Sequence, residues 1–357
     1  MSERSRIIFH LDMDHFFTAV EEREKPDLKG RPIIVGADPR DGKGRGVVST
    51  ANYLARKFGV KSGMPISKAW KLCPEAVYLP VNYGLYSGVS DEIMNILRGY
   101  TDKFEQWGVD EAFLDVSSRV SDYSEAEVLA RQIKQTIFDI VKLTCSIGVG
   151  PNKLVAKIAS DFDKPDGLTV VREEDAEKFL APLPVQRLLW VGRKTRQRLE
   201  KIGIRTIGDL ARSDPTILAG NLGIIGTQLY LMAHGIDKSE VAERGEIKSI
   251  SREVTFQEDT ADFELVLKTL NGLSKEVHEN VMEQRLFFRT VTVKVRYENF
   301  ETHTHSKTLP SMSNRLQDLN KVAAELIHAY LWPERKIRLI GLRVSDFVSA
   351  DRQKTLV

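Results

Sequence analysis

Hydrophobic and polar positions alternate at the start of the chain, in RIIFHLDMD at residues 6–14. This period of two is typical of a β-strand, with one side formed by Ile7, Phe9, Leu11 and Met13 and the other by Ile8, His10, Asp12 and Asp14. The period becomes helical over 83–100 and again over 124–141, where Ser124 followed by Glu127 indicates a capping box. Residues 104–116 predict two short strands around a turn near Gly108, and 143–150 predict another strand.

This order of elements predicts an α+β fold of the ferredoxin-like kind, with an antiparallel sheet and helices on one face. An insertion at 16–81 follows the first strand, and within it 49–60 predicts a loop followed by a helix. Residues 172–237 are helical with glycine turns, and 238–248 predict a linker. The last part, from 249, repeats the earlier order, with strands near 249–256, 289–298, 302–309 and 337–345 and helices near 262–284 and 313–331.

Composition narrows the class of protein. No apolar run in the 357 residues approaches the ~20 that span a bilayer, and the first residues become acidic where a signal peptide stays apolar. We therefore expect a cytoplasmic protein with no membrane partner. The formal charge is only +2, but residues 193–205 carry six Lys and Arg against one Glu. Basic charge focused on one helix fits either a nucleic-acid backbone or a solvated helix face.

Three acids lie within WGVDEAFLDV, residues 107–116: Asp110, Glu111 and Asp115. In a ferredoxin-like sheet this hairpin lies beside the first strand, which brings Asp12 close to Asp110 and Glu111. Gly108 permits the bend that lets these neighbours converge. Clustered carboxylates repel one another unless a hard cation such as Mg²⁺ or Mn²⁺ lies between them, and two such ions can serve phosphoryl transfer. A solvated turn is the alternative; Asp115 is expected to be structural, a hydrogen-bond acceptor.

Five stretches together resemble the Y-family translesion DNA polymerases, of the DNA polymerase IV type, and the resemblance covers nearly the whole chain. They are LDMDHFF (11–17), STANYLARKFGVKSGMP (49–65), VDEAFLDV (109–116), VGPNKLVAKIASDFDKPDG (149–167) and IRLIGLRVSDF (337–347). The resemblance implies a palm at 1–15 and 82–171, fingers at 16–81, a thumb at 172–237 and an α/β little finger at 249–348, followed by a tail at 349–357.

The resemblance also implies a set of site residues. Two Mg²⁺ ions, for which Mn²⁺ can substitute, would be bound by Asp12, Asp110, Glu111 and the carbonyl of Met13. Phe17 would be the steric gate that excludes a 2′-hydroxyl, and Phe16 would pack near the incoming sugar. The nucleotide would further be bound by Thr50, Tyr53, Arg56 and Lys164, of which Tyr53 and Arg56 share a helix face.

In the thumb, helix-hairpin-helix elements would contact DNA phosphates through backbone N–H groups, with Gly192, Arg193, Lys194, Gly223 and Gly226 as the contact residues. The sequence departs from the family in two places. Trp190, in Leu-Trp-Val-Gly at 189–192, replaces a glycine of the first hairpin, which puts direct contact by that loop in doubt. Gly108-Val109 stands where the family has a serine before a branched residue, which would loosen the turn.

These observations favour a template-directed DNA polymerase that binds primer–template DNA and deoxynucleoside triphosphates as a monomer. Low fidelity and translesion synthesis follow from the resemblance, and the lack of a recognisable nuclease domain in the sequence leads us to expect no proofreading. The alternatives are a nucleotidyl cyclase, which also carries acids on such a sheet, and a non-catalytic helix-hairpin-helix DNA-binding repair factor. The tail residues Gln353, Leu356 and Val357 begin the pattern of a clamp-binding peptide, so a sliding clamp is a further candidate partner.

Overall fold

The computed structural model describes residues 6–243 and 245–349, and it divides the chain into two compact units. The first unit comprises residues 1–42 and 47–244, and the second comprises 43–46 and 245–357. The division after residue 244 lies inside the predicted linker. Within the described ranges, no helix has the length and apolar character needed to cross a membrane.

The strands of the first unit are β1 (Ile8–Met13), β2 (Ile33–Gly36), β3 (Val48–Ala51), β4 (Val77–Leu79), β5 (Lys103–Gln106), β6 (Glu111–Asp115), β7 (Cys145–Gly150) and β8 (Leu168–Val170). Its helices are α1 (Phe16–Glu24), α2 (Tyr53–Lys57), α3 (Ile66–Leu72), α4 (Tyr83–Arg98), α5 (Tyr123–Val141), α6 (Lys153–Ser160), α7 (Ala176–Leu180), α8 (Arg193–Lys201), α9 (Ile207–Ala211), α10 (Pro215–Leu222) and α11 (Ile224–Ala233).

The palm sheet has the strand order β5-β6-β1-β7-β8, and β1 pairs antiparallel with both β6 and β7. This is the predicted ferredoxin-like arrangement with β8 added parallel to β7. The apolar side of β1 packs in one core with α4 and α5. Ile8, on the other side of β1, is buried with Phe113 and Ala156 of α6, so the prediction that helices cover one face only was wrong. Helix α1 also belongs to the palm core through Phe16 and Val20, although 16–81 was predicted as fingers.

Two local predictions need correction. Helix α5 has Asp122 as its N-cap, and the Asp122 carboxylate accepts hydrogen bonds from the backbone N–H groups of Ser124 and Glu125. The predicted capping box of Ser124 and Glu127 is therefore wrong, because Ser124 already lies inside the helix. In the fingers, part of the predicted loop at 49–52 is strand β3, which pairs with β2 in the small sheet β3-β2-β4.

The second unit is a sheet of order β11-β10-β12-β9 with two helices packed on its core. Its elements are β9 (Ser249–Thr260), α12 (Phe263–Glu283), β10 (Leu286–Tyr297), β11 (Thr302–Ser313), α13 (Leu316–His328), β12 (Ile337–Ser345) and β13 (Val348–Ser349). The predicted order of strands and helices is confirmed, and β9 and β11 are longer than predicted. The tail residues that resemble a clamp-binding peptide lie outside the described residues.

Helix α6 approaches β7 so closely that only glycine fits at position 148. A Cβ atom there would lie 2.0 Å from the Ala156 carbonyl oxygen and 2.3 Å from the Ser160 nitrogen. Both contacts are backbone atoms of α6, which cannot move aside singly. Gly148 therefore sets the distance between the sheet and the helix that carries Lys157.

We predict that Gly148→Ala destabilises the protein by about 1–3 kcal/mol or more, because the added methyl overpacks the strand–helix contact. Chemical denaturation measures the change. Gly88→Ala is the matched control, since no atom lies within 4 Å of a Cβ atom at Gly88. Alanine there should stabilise α4 by about 0.5–1 kcal/mol. Equal stability of the wild type and Gly148→Ala would contradict the close approach.

Candidate active site

Strand pairing brings the predicted carboxylates together. Asp12 lies opposite Glu111 in the antiparallel ladder of β1 and β6. The Met13 N–H donates a hydrogen bond of 2.9 Å to the Asp110 carbonyl, which fixes Asp110 at the end of β1. The three acids converge as the sequence predicted, at the edge where the hairpin meets the first strand.

Gly108 contributes space rather than an unusual backbone conformation. The hairpin closes through hydrogen bonds from the N–H groups of Trp107 and Gly108 to the Glu111 carbonyl, at 3.0 and 3.1 Å. A Cβ atom at Gly108 would lie 3.0 Å from the Glu111 Cγ and 3.4 Å from the Asp110 Oδ1. Glycine therefore leaves room for the Glu111 side chain. Asp115 accepts hydrogen bonds from the N–H and hydroxyl of Ser117, which confirms its predicted structural role.

Two basic side chains hold Glu111. The Lys157 ammonium donates to Glu111 Oε2, and His10 Nε2 lies 3.2 Å from the same oxygen. His10 is fully buried, and its Nδ1 lies 2.7 Å from the Ser160 hydroxyl. Burial alone would raise the pKa of Glu111, but its hydrogen bonds to His10 and Lys157 outweigh burial and lower the pKa to about 2. Glu111 is thus an anion fixed in orientation.

The pKa values of Asp12 and Asp110 are raised, in contrast to that of Glu111. Burial raises the pKa of Asp12, although Lys164 Nζ lies 2.6 Å from its Oδ1. Burial and the charges of Asp12 and Glu111 raise the pKa of Asp110 to about 6. Three carboxylates in one place are therefore only partly compensated by the lysines.

The donor set fits a divalent cation. Within the described part of the chain, no three His, Cys, Asp or Glu side chains already stand in a metal-ligating arrangement. Lysine ammonium groups contact Asp12 and Glu111 instead, at the positions where positive charge is needed. Carboxylate oxygens on two adjacent strands, with a raised pKa at Asp110, match the ligands and the charge demand of Mg²⁺ or Mn²⁺.

Asp14 was assigned no role from the sequence, and the structure shows that it is buried and anchors the site. Its Oδ1 accepts a hydrogen bond of 2.9 Å from the Ser146 hydroxyl, and its Oδ2 accepts one of 2.8 Å from the Asp166 N–H. These bonds tie the turn that carries Lys164 to the end of β1. The signal was present in the sequence, because Asp14 follows Asp12 on the polar side of the strand.

Helix α2 presents the predicted triphosphate-binding residues. The Arg56 guanidinium lies 4.9 Å from the centre of the Tyr53 ring, which confirms that both side chains share a face. The Tyr53 hydroxyl lies 3.5 Å from Asp14 Oδ1, so this helix meets the palm beside the carboxylates. The buried Asn52, missed in the sequence, caps α2 by accepting from the Ala55 N–H. Thr50 is in β3, two residues before Asn52, and is half-buried.

The two phenylalanines after β1, Phe16 and Phe17, differ in their burial. Phe16 is 1% exposed and packs in the palm core, so its ring offers almost no surface to a ligand, and its place near an incoming sugar stays a prediction. Its position at the start of α1 turns the ring inward. Phe17 is half-buried and stacks on Tyr86, with ring centres 4.3 Å apart and planes 13° apart. The side chain of Met13 is also buried, which leaves only its backbone as a candidate ligand.

The residues predicted to contact DNA in the thumb differ in their exposure. Gly192, Arg193 and Lys194 are exposed at the start of α8, and Gly223 is exposed with a φ of 65° between α10 and α11. Gly226 is buried, and a Cβ atom there would lie 2.2 Å from the Leu218 carbonyl oxygen. Gly226 therefore allows α11 to pack against α10, and its role as a DNA contact stays a prediction.

A ferredoxin-like palm with converging carboxylates, lysines facing them and a basic helical region defines a nucleotidyltransferase of the polymerase type. Three family models match the chain: "impB/mucB/samB family" at residues 11–161, "impB/mucB/samB family C-terminal domain" at 247–356, and "DNA polymerase-iota, thumb domain" at 188–237.

Full-length relatives agree with these matches. The chain is 48% identical to DNA polymerase IV 2 of Methanosarcina mazei, with 100% of this chain and 96% of the relative covered. It is 50% identical to DNA polymerase IV of Methanoculleus marisnigri, with 97% and 95% covered. The chain belongs to the Y-family DNA polymerases and is a DNA-directed DNA polymerase, a nucleotidyltransferase.

Solved structures show the same family. A Y-family DNA polymerase chimera, Dbh-Dpo4(243-245)-Dbh, matches with a TM-score of 0.88 at 32% identity, covering 96% of this chain and 99% of the chimera. An insertion ternary complex of Dbh DNA polymerase matches with a TM-score of 0.67 at 32% identity and the same coverage. The comparisons support the polymerase prediction with translesion synthesis and do not support the non-catalytic alternative. The family depends on divalent metal ions and acts on DNA and nucleotides.

We predict that Asp110→Asn stabilises the metal-free protein in EDTA at pH 8, because it removes a carboxylate whose pKa is raised to about 6. An acid with a raised folded-state pKa loses stability as the pH rises from its unfolded value through its folded value. The gain should be on the order of 1–2 kcal/mol at pH 8 after allowance for solvent screening, and small at pH 4. Urea unfolding at both pH values checks this; a variant no more stable than wild type at pH 8 contradicts it.

Proposed function

We propose that this chain adds deoxynucleotides to a primer 3′ end with two Mg²⁺ ions, or Mn²⁺ in their place. Asp12, Asp110, Glu111 and the Met13 carbonyl would hold the ions. The observation that carries the proposal is the convergence of the three carboxylates at the end of β1 and β6. When bound, such ions increase the acidity of the primer hydroxyl and neutralise charge on the triphosphate.

The protein's own residues prepare this centre. His10 and Lys157 keep Glu111 ionised and oriented, so its oxygens need not reorganise when a cation binds. Lys164 exchanges partners: it leaves Asp12, which it contacts at 2.6 Å, and takes the triphosphate of the incoming nucleotide. The turn that carries Lys164 stays fixed through Asp14, so only the flexible side chain moves.

The fingers hold the same triphosphate. Arg56 can present its guanidinium fork to phosphate oxygens, and Tyr53 can donate its hydroxyl beside it. Burial and the charge of Asp14 raise the pKa of Tyr53 to about 12, so its hydroxyl remains a donor at neutral pH. Thr50, in the neighbouring strand β3, is a further proposed contact to the same triphosphate.

Phe17 serves as the gate against ribonucleotides. Its ring is braced by Tyr86, whose hydroxyl donates a 2.7 Å hydrogen bond to the buried Glu21. A braced ring cannot move aside at low cost for a 2′-hydroxyl, so deoxynucleotides are preferred. Phe16 supports this arrangement from the core, with its ring centre 5.8 Å from that of Phe17.

DNA is held through phosphates by the exposed residues Gly192, Arg193, Lys194 and Gly223 of the thumb. The described part of the chain contains no domain beyond palm, fingers, thumb and little finger, and we propose synthesis of low fidelity without proofreading. We further propose that the enzyme works as a monomer in the cytoplasm, where its DNA substrate lies. A sliding clamp is proposed as a partner through residues 353–357.

A primer-extension assay tests the polymerase site. Wild type with Mg²⁺ should add templated deoxynucleotides. The double variant Asp110→Ala/Glu111→Ala should bind primer–template DNA but extend it at least ~10³-fold more slowly, because the charge-stabilising centre is lost. Asp115→Asn is the matched control on the same strand, and it should extend at close to the wild-type rate. A double variant that still extends would contradict the metal-ligand assignment.

Substitution of the gate tests sugar selection separately. Phe17→Ala should incorporate ribonucleotides at least about tenfold more efficiently relative to deoxynucleotides, because the ring no longer fills the space of the 2′-hydroxyl. The ratio of kcat/KM for the two sugars measures this. Phe17→Tyr keeps a ring at the position and should keep wild-type discrimination. Unchanged discrimination in Phe17→Ala would remove Phe17 from the nucleotide site.

A further inference from the structure

Trp190 is exposed in a turn whose flanking residues, Leu188 and Val191, are buried. The Val191 N–H donates a hydrogen bond of 3.3 Å to the Leu188 carbonyl, which closes the turn around Leu189 and Trp190. Leu188 and Val191 are 2% and 8% exposed and belong to the thumb core. Trp190 itself is 71% exposed. The turn therefore exposes a tryptophan, the largest type of side chain, to solvent.

The backbone of Trp190 is strained as well. Its φ is 71°, in the left-handed region that favours glycine or asparagine. A bulky side chain in that region costs free energy, and an exposed indole recovers none of it through burial. Glycine would suit the turn better, and the Y-family pattern has glycine there. The fold of the first unit thus offers no gain that explains tryptophan at this position.

The charged residues that follow Trp190 indicate what kind of partner could bind there. Helix α8 begins three residues later and carries five cationic side chains, of which Arg196 pairs with Glu200 at 2.6 Å. The others have no ion pair within the described residues: Arg193, Lys194, Arg198 and Lys201. An exposed ring beside unpaired cations fits a polyanion that also offers apolar surface. Duplex DNA has both, because deoxyribose rings line the walls of its minor groove between the phosphates.

We propose that Trp190 packs its indole against the deoxyribose rings at the minor groove of the primer–template duplex. This inference rests on the proposed function and adds to it an apolar contact in the thumb. The contact is independent of base sequence, and it contributes affinity that does not arise from counterion release.

Salt dependence separates this contact from a phosphate contact. The dissociation constant for a primer–template duplex is measured by fluorescence anisotropy over a range of NaCl concentrations. Trp190→Asn keeps a residue that tolerates positive φ and removes the ring, so we expect folding to be retained. It should weaken binding about five- to tenfold with an unchanged salt slope. Lys194→Ala should instead lower the salt slope by about one.

Two further variants complete the comparison. Trp190→Phe keeps an aromatic ring and should restore most of the wild-type affinity. Trp332→Ala removes another exposed tryptophan, 51% exposed, from the loop after α13, and should bind as wild type does. Tryptophan emission gives a direct signal. Wild type and Trp332→Ala should shift to shorter wavelength when DNA is added, and Trp190→Phe should lose most of that shift.

The proposal is overturned if Trp190→Asn binds the duplex as tightly as wild type, or if its loss of affinity comes with a reduced salt slope. It is also overturned if the DNA-induced emission shift persists in Trp190→Phe. Primer extension by the wild type on the same DNA distinguishes a failure of the proposed polymerase function from a failure of the Trp190 contact. A wild type that binds but does not extend refutes the proposed function, whereas normal extension with an inert Trp190 refutes this contact alone.

Discussion

Electrostatic repulsion among Asp12, Asp110 and Glu111 is the constraint on which the rest of the structure depends. Pairing of β1 with β6 brings these carboxylates together. Burial, and after it the charges of Asp12 and Glu111, raise the pKa of Asp110 to about 6. Neutral or apolar side chains would make a more stable sheet edge. The chain keeps the acids and surrounds them with cations, which is the signature of a site whose function requires negative charge.

Elements next to the site position the two lysines that face the carboxylates. Gly148 allows α6 to lie against β7, and α6 brings Lys157 to Glu111. Asp14 fixes the turn that brings Lys164 to Asp12. The two lysines differ in their contacts. Lys157 shares the Glu111 carboxylate with His10, whereas Lys164 lies between Asp12 and Asp161. We propose that Lys157 orients a metal ligand and that Lys164 exchanges its carboxylate partner for the substrate.

Sequence patterns predicted what depends on local periodicity and on strand topology. The alternation in β1 and the order of the following elements were enough to predict the ferredoxin-like sheet and the meeting of Asp12 with Glu111. The packing of helices against one another and against the sheet was not predictable from these patterns. The burial of Gly226 depends on how α11 crosses α10, and the inward direction of Phe16 depends on α1 packing in the palm.

Departures from a family pattern acquire meaning only with geometry. Gly108 was expected to loosen a turn, and the structure shows that it makes room for Glu111. Trp190 was expected to block a backbone contact, and the structure shows an exposed ring on a strained backbone. In both cases the residue type was visible in the sequence, but the space around it was not. Physical interpretation of such positions needs φ angles and neighbouring atoms.

Anomalous diffraction from crystals grown with primer–template DNA, a deoxynucleoside triphosphate and Mn²⁺ would locate the metal ions. We expect two manganese peaks about 3.5–4 Å apart, bound by Asp12, Asp110 and Glu111, with Lys164 moved from Asp12 to the triphosphate. Peaks elsewhere, or Lys164 still paired with Asp12 in a complex that contains the nucleotide, would contradict this expectation.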